Sequence, residues 1–590
     1  MNRTVKKAIT FLLTAGLLLT AFTGCSSQSP HSNPQGQTEN DKIYYENEVH
    51  IILSDDGITA NGSNVTDSSQ KVYTSNDVIY YENMDSYESG NPYGEGTDAD
   101  KHTAEEAAKV TVVNITEPGI YRLSGKMSHG QIRVDLGEDS DKDEDAVVTL
   151  VLDGLDINCD VAPAVIFMNV YECDGNWDTE SASSEVDTSA AGANVIISDG
   201  SVNNVEGAYV AKIFKDKEGE KKLWKQDGAF YSYMSMNIDG EQKESGILNI
   251  KADNEGLDTE LHLTINGGNI NIFSDNDGIN TNEDGVSVTT INGGNIRITA
   301  GLGEEGDGID SNGWLVINGG TVVSAAKPIS DSGLDSSMGS FINGGTVVAL
   351  GSAMDWAESD SAQVTMNLQF AGYKEKGSSI IVTREDGSVI FAYDSSRDGI
   401  ISENTREFMG AVISCPQFAV GETYNVYIGN NSDGVSSVEG SEINGIYDVS
   451  SITSVNAVQQ AYAGTDVRGH GGRPHQANDG MPPLADGEKP QMPNFIDFPD
   501  NMQPPTMPEG EEFDPEIMKP APDKSEFTAN ENGNTMEFGG EGESDFKSGE
   551  RPQMPKAGND NGIFQPAAIF TDFYMQDKVN SFSGIADLTV

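Results

Sequence analysis

INGGNINI (residues 265–272), INGGNIRI (291–298), INGGTVVS (317–324) and INGGTVVA (342–349) open at Ile265, Ile291, Ile317 and Ile342, 26, 26 and 25 residues apart. A second word, Gly-Leu/Ile-Asp/Asn-Thr/Ser, recurs between them at 256–259, 278–281, 308–311 and 333–336. Two words repeating in phase, four times each, mark a repeat architecture in which each unit buries its apolar face only against its neighbours. Stretches such as His262–Ile265, Asn269–Phe273, Val286–Ile291, Asn295–Thr299 and Thr321–Ser324 are short and alternating or β-branched, so they read as strands. No helical period of useful length separates them. Three short strands with turns fill about 25 residues, one coil of a parallel β-helix whose coils stack at about 4.8 Å. The Asn-Gly-Gly triplets suit the corners, where Asn and Gly tolerate positive φ. Asn266, Asn292, Asn318 and Asn343 then fall into line as a structural amide ladder.

The same object extends upstream with less regular coils. Ile120–Leu123, Gln131–Leu136, Val147–Leu152, Asp156–Asn158, Ala164–Met168 and Asn194–Ser198 are strand-like, whereas Glu172–Gly192 and Lys212–Lys225 read as surface excursions. This gives an all-β organisation: a tether and edge cap over 26–109, the β-helix over 110–364, and a β appendage over 365–465. Asp386-Gly387 between two apolar runs signals a hairpin in that appendage. Fourteen of the 22 prolines fall between Pro474 and Pro555, so 466–562 reads as a disordered acidic insertion. The apolar 563–590 is expected to pack back onto the domain.

Composition narrows the partners. Lys plus Arg is 35 against 94 Asp plus Glu, a net charge of −59, which excludes nucleic acid as a partner. The apolar fraction of 36% is low for a globular chain, but the narrow core of a stacked solenoid needs no more. Residues 1–25 carry Arg3, Lys6 and Lys7, then an apolar run too short to span a bilayer comfortably, then Phe22-Thr23-Gly24-Cys25. This resembles a bacterial lipoprotein signal, with Cys25 as the lipidated N-terminus of an exported protein held at the membrane surface by acyl chains. Cys159, Cys173 and Cys415 remain: a Cys159–Cys173 bridge is one reading and buried, inert thiols the other. A monomer is expected.

The second word stacks Asp258, Asn280, Asp310 and Asp335, one per coil. Carboxylates at that spacing repel by several kcal/mol at an effective dielectric of about 20. Asp277 and Asp307 add to the crowding. Hard oxygen ligands on turns, with few cations nearby, suit Ca²⁺, while solvated Asx turns are the plainer reading.

The entry Gly119-Ile120-Tyr121-Arg122-Leu123-Ser124-Gly125, the run Val148–Ile157 and the four INGG coils resemble a carbohydrate-binding β-helix family of bacterial cell surfaces. That family binds cellulose and pectin and is structurally related to pectate lyases. The resemblance covers about Val110 to Leu350. It implies a right-handed parallel β-helix, bound calcium and polysaccharide binding without cleavage. Exposed aromatics commonly hold sugars, and Trp177, Trp224, Trp314 and Trp356 are the tryptophans. Trp314 and Trp356 both follow acidic words and are expected to flank one face. A calcium-dependent pectate-type lyase is the alternative and would need a Lys or Arg base. Lys251, Arg297 and Lys327 share no repeat position, so no catalytic column emerges. A purely structural adhesin is the third reading.

Overall fold

The recurring words become strands of separate parallel ladders. In the computed structural model, strands Leu263–Ile265, Val288–Ile291, Trp314–Ile317 and Gly339–Ile342 pair in parallel, each with the next, to form a first face. Asn269–Ser274, Asn295–Thr299, Thr321–Ala325 and Thr346–Gly351 form a second. Glu255–Thr259, Ile279–Thr281, Ile309–Ser311 and Asp335–Ser336 form a third. The chain is thus nearly all β, and its helical content among the described residues is slight. Those residues are 42–65, 68, 70–81, 99–214, 222–328, 330–352, 355–374, 377–395, 407–429, 442–443, 445–451, 461–462 and 573–587. The leader with Cys25, the 466–562 segment, residues 563–572 and the Trp224 side chain lie outside them.

The third face corrects the sequence reading. The Gly-Leu/Ile-Asp/Asn-Thr/Ser word, expected as a turn, is a strand of two to five residues. Its glycine is there for space. A Cβ on Gly278 would lie 2.1 Å from Ile298 Cγ2 and 2.5 Å from the Gly308 carbonyl oxygen, and Gly256 and Gly308 are equally confined. At the INGG corner the second glycine adopts a left-handed φ, +93° at Gly268 and +88° at Gly294.

Inward positions stack like on like. Ile265, Ile291, Ile317 and Ile342 are wholly buried in one continuous core with Ile270, Ile296, Val322 and Val347. Thr281 and Ser311, also buried, join hydroxyls at 2.8 Å between coils. At the corners the Asn ladder forms: Asn292 Nδ2 donates to Asn266 Oδ1 at 2.9 Å, Asn318 to Asn292 at 2.9 Å and Asn343 to Asn318 at 3.0 Å.

Upstream coils keep the register without the words. Gly228–Ser232 and Val165–Asn169 continue the third face, and Met236–Gly240 and Ala193–Ile197 the first. Val147–Leu152 and Asp156–Asn158, read as two strands, are one, Val148–Cys159. Above the last coil, Phe408–Ser414 pairs antiparallel with Thr346–Gly351 and covers an edge that would otherwise stay open. Ser379–Arg384 and Val389–Asp394 form the hairpin across Asp386-Gly387. The C-terminal strand Val579–Asp587 pairs with Thr365–Lys374, and Phe573–Tyr574 with Thr423–Gly429.

Candidate functional site

Because the third face is in register, its polar column is real. Asp258 pairs with Asn280, Asn280 with Asp310, and Asp310 with Asp335. One coil below, Tyr231 takes the place of Asp258, and Gly228 makes room: a Cβ there would lie 2.6 Å from Asp258 Cβ. Ligand atoms of Asp227, Glu255 and Asp258, all buried, lie within 4.8 Å of one another. Asn282 Nδ2 donates to Asp258 Oδ1 at 2.7 Å. By contrast, Glu255 Oε2, Asp258 Oδ2 and Asn280 Oδ1 are sealed from water without a hydrogen-bond partner. Burial and the Asp227 charge push the Glu255 carboxyl up to about 7. Burial, with Glu255 beside it, puts Asp258 well above the carboxylate range.

A lysine reaches this pocket from an element expected to face solvent. Lys212–Lys225, read as a charged excursion, belongs to a hairpin of Val210–Phe214 and Lys222–Gln226. Its last lysine folds inward. Lys225 Nζ lies 2.5 Å from Asp227 Oδ2 and donates to Asn282 Oδ1 at 2.7 Å. Burial alone would lower the Lys225 ammonium, but Asp227, Glu255 and Asp258 outweigh it and hold the proton far more tightly than usual. Sequence reasoning missed both Lys225 and Asp227. The only signal was Gly228-Ala229-Phe230-Tyr231-Ser232, a degenerate copy of the repeated word with Tyr in the Asp position.

The remaining candidate ligands split into two kinds. Asp277 Oδ1 accepts the Asp307 backbone N–H at 2.6 Å, and Asp307 Oδ1 accepts that of Ser332 at 2.5 Å, so each has one oxygen tied to the coil above. Higher on the column, Asp310 and Asp335 face Asp307 and Asp355. Burial chiefly, then Asp335, raises Asp310 to about 7 and Asp355 to about 8, and burial raises Asp307 to about 8. The column therefore carries two acidic groups, one around Asp258 and one around Asp335.

Trp314 and Trp356 do share a face. Trp314 pairs with Gly339, and the parallel bridge between Ser340 and Ala357 sets Trp356 against Gly339 on the other side. Leu315, Ile317, Ile342 and Ala357 point into the core, so the tryptophans point out; Trp356 is 48% exposed and Trp314 half-buried. Trp177 is exposed on the Glu172–Gly192 loop. The three Lys and Arg residues of the regular coils are occupied: Arg297 lies over the Phe273 ring at 5.5 Å, Lys327 donates to the Gly303 carbonyl and Lys251 pairs with Glu206. Cys159, Cys173 and Cys415 are free thiols, so Cys159 and Cys173 do not pair.

A curated relative from Acetivibrio thermocellus, described as a carbohydrate-binding domain-containing protein, is 32% identical over 181 residues, 30% of this chain and 51% of the relative. The chain thus spans about half the length of the curated relative it matches. Among solved structures, a polysaccharide lyase-like protein from C. thermocellum, a gadolinium derivative, aligns with a TM-score of 0.28 at 22% identity, over 50% of this chain and 92% of that one. The family model for carbohydrate-binding domain-containing proteins matches residues 109–417, just over half of the chain. This chain belongs to the family of carbohydrate-binding domain-containing proteins.

Proposed function

We propose that the protein binds polysaccharide at the cell surface without cleaving it, through a right-handed parallel β-helix that carries Ca²⁺ on its third face. Cys25 would hold it to the membrane through a lipid anchor, outside the cell. The observation that carries this reading is the set of sealed, unpartnered oxygens on Glu255, Asp258 and Asn280. Burying such atoms costs several kcal/mol unless a cation or proton satisfies them. They fit a hard divalent ion, being all oxygen, acid-rich and convergent. Asp227, Glu255, Asp258 and Asn280 would hold it, with Asp310 and Asp335 as ligands of the upper group. The ion would supply positive charge to a surface that otherwise repels anionic glycans. Chelator then abolishes retention on polygalacturonate and leaves retention on cellulose intact; pectin pull-down unaffected by chelator overturns this division.

The lyase alternative requires an unprotonated base near the metal. Lys225 is the basic side chain at the pocket, and the surrounding acids hold its proton rather than release it. Arg297 is packed on Phe273 and buried. A purely structural adhesin would bury the same oxygens for no return. Sustained release of unsaturated uronate products, read by their absorbance, would establish cleavage and defeat the non-catalytic reading.

A further inference from the structure

The outward positions of the last three rungs of the first face, Trp314, Gly339 and Trp356, form one column with a tryptophan on its first and third rungs. Rungs about 4.8 Å apart put the two indole attachments about 10 Å apart along the stacking axis. Between them Gly339 offers no side chain, and Glu358 lies over it: a Cβ on Gly339 would meet Glu358 Oε1 at 2.9 Å. Phe341, half-buried, follows on the same strand two positions further on. Met338, exposed, lies beside Gly285, whose Cβ position also meets Thr179 of the loop that carries Trp177. Exposed and half-buried apolar side chains therefore gather along one edge of one face, with a carboxylate set among them.

We infer that this column is the glycan-binding stripe, and that it takes a neutral, extended β-1,4-linked glycan lying along the stacking axis. The inference rests on the polysaccharide-binding reading above and gives it a place. In an extended chain with two-fold screw symmetry, residues n and n+2 present the same sugar face to the same side. Two rungs of the solenoid advance by about the length of two such residues, so Trp314 and Trp356 stack on alternate sugars and Glu358 accepts a hydroxyl from the sugar between. A polyuronate fits this stripe poorly, because Glu358 and the net charge of −59 oppose its carboxylates. A chain crossing the face at right angles would meet only one indole.

The test uses the full-length protein, calorimetric titration with cello-oligosaccharides, and Trp356→Ala. That indole is 48% exposed, so its loss leaves the core untouched. Cellobiose cannot reach both rings; cellotriose can. Cellotriose is expected to bind the wild type about tenfold more tightly than cellobiose, the worth of one aromatic stacking contact, and Trp356→Ala is expected to erase that step. Tyr574→Ala, an exposed aromatic on another strand, should leave it intact. A step that survives Trp356→Ala, or is lost equally in Tyr574→Ala, overturns the stripe while polysaccharide binding stands. Wild-type protein retained on neither cellulose nor polygalacturonate, with or without Ca²⁺, overturns the underlying reading as well.

Discussion

Lys225→Met removes the ammonium from the acid pocket and keeps most of the side chain's apolar stem. Asp227, Glu255 and Asp258 present oxygens within 4.8 Å of one another. Two ionised carboxylates at that distance repel by about 3.5 kcal/mol at an effective dielectric of about 20. The ammonium, 2.5 Å from Asp227, offsets about one such pair. Its loss should cost about 3 kcal/mol in metal-free protein at pH 8, in line with breaking other buried ion pairs. At about 2 °C per kcal/mol for a large domain, the apparent melting temperature falls by about 6 °C. At pH 5.5 the Glu255 carboxyl, raised to about 7, is protonated, so the loss should shrink to about 1 kcal/mol. Millimolar Ca²⁺ should restore the pH 8 variant, because the ion takes over the charge that the ammonium supplied. Melting curves in chelator and in Ca²⁺ at both pH values read all four numbers. A variant that melts like the wild type in chelator at pH 8, or one that Ca²⁺ does not rescue, refutes the reasoning.

Three further outcomes follow from the same geometry. Glu255 and Asp310 at about 7, with Asp307 and Asp355 at about 8, stand above their unfolded values near 4, so the stability they lend is full below pH 4 and lost as pH rises through 7 to 8. Metal-free wild type should accordingly melt higher at pH 5.5 than at pH 8.5, and Ca²⁺ should stabilise it more at the higher pH. Gly278→Ala sets a methyl 2.1 Å from Ile298 Cγ2 and 2.5 Å from the Gly308 carbonyl, and should cost about 3 kcal/mol in denaturant unfolding. The chelator-dependent split between polygalacturonate and cellulose, measured by pull-down, separates metal-bridged from metal-free binding.

The regular coils were legible because they are nearly identical: two words in phase leave few ways to stack Ile265 through Ile342. The Asp column was legible too, since its word recurs once per coil, although at uneven steps of 22, 30 and 25 residues. Its secondary structure was not. Ile279–Thr281 is three residues long, too short for alternation to show, and its Gly and Asn neighbours read as turn formers. Upstream, the period breaks. Asp227 stands where the word has decayed to Ala-Phe-Tyr-Ser, and the metal-like pocket it completes spans two unlike coils. Lys225 was out of reach for a different reason. A run of lysines is ordinarily solvated, and only the hairpin brings the last of them over an acidic column 33 residues away at Asp258. The tryptophan pair was visible as two residues after acidic words, but its two-rung spacing depends on the bridge at Ala357, past the end of the repeat.

The most direct test is calorimetric titration of Ca²⁺ into the full-length protein and into a Glu255→Gln, Asp258→Asn double variant. The wild type should bind with protons released near pH 7, and the variant, still folded, should lose the site at Asp227, Glu255 and Asp258. Ca²⁺ binding of equal stoichiometry and affinity in both proteins would place the cation elsewhere and contradict the account.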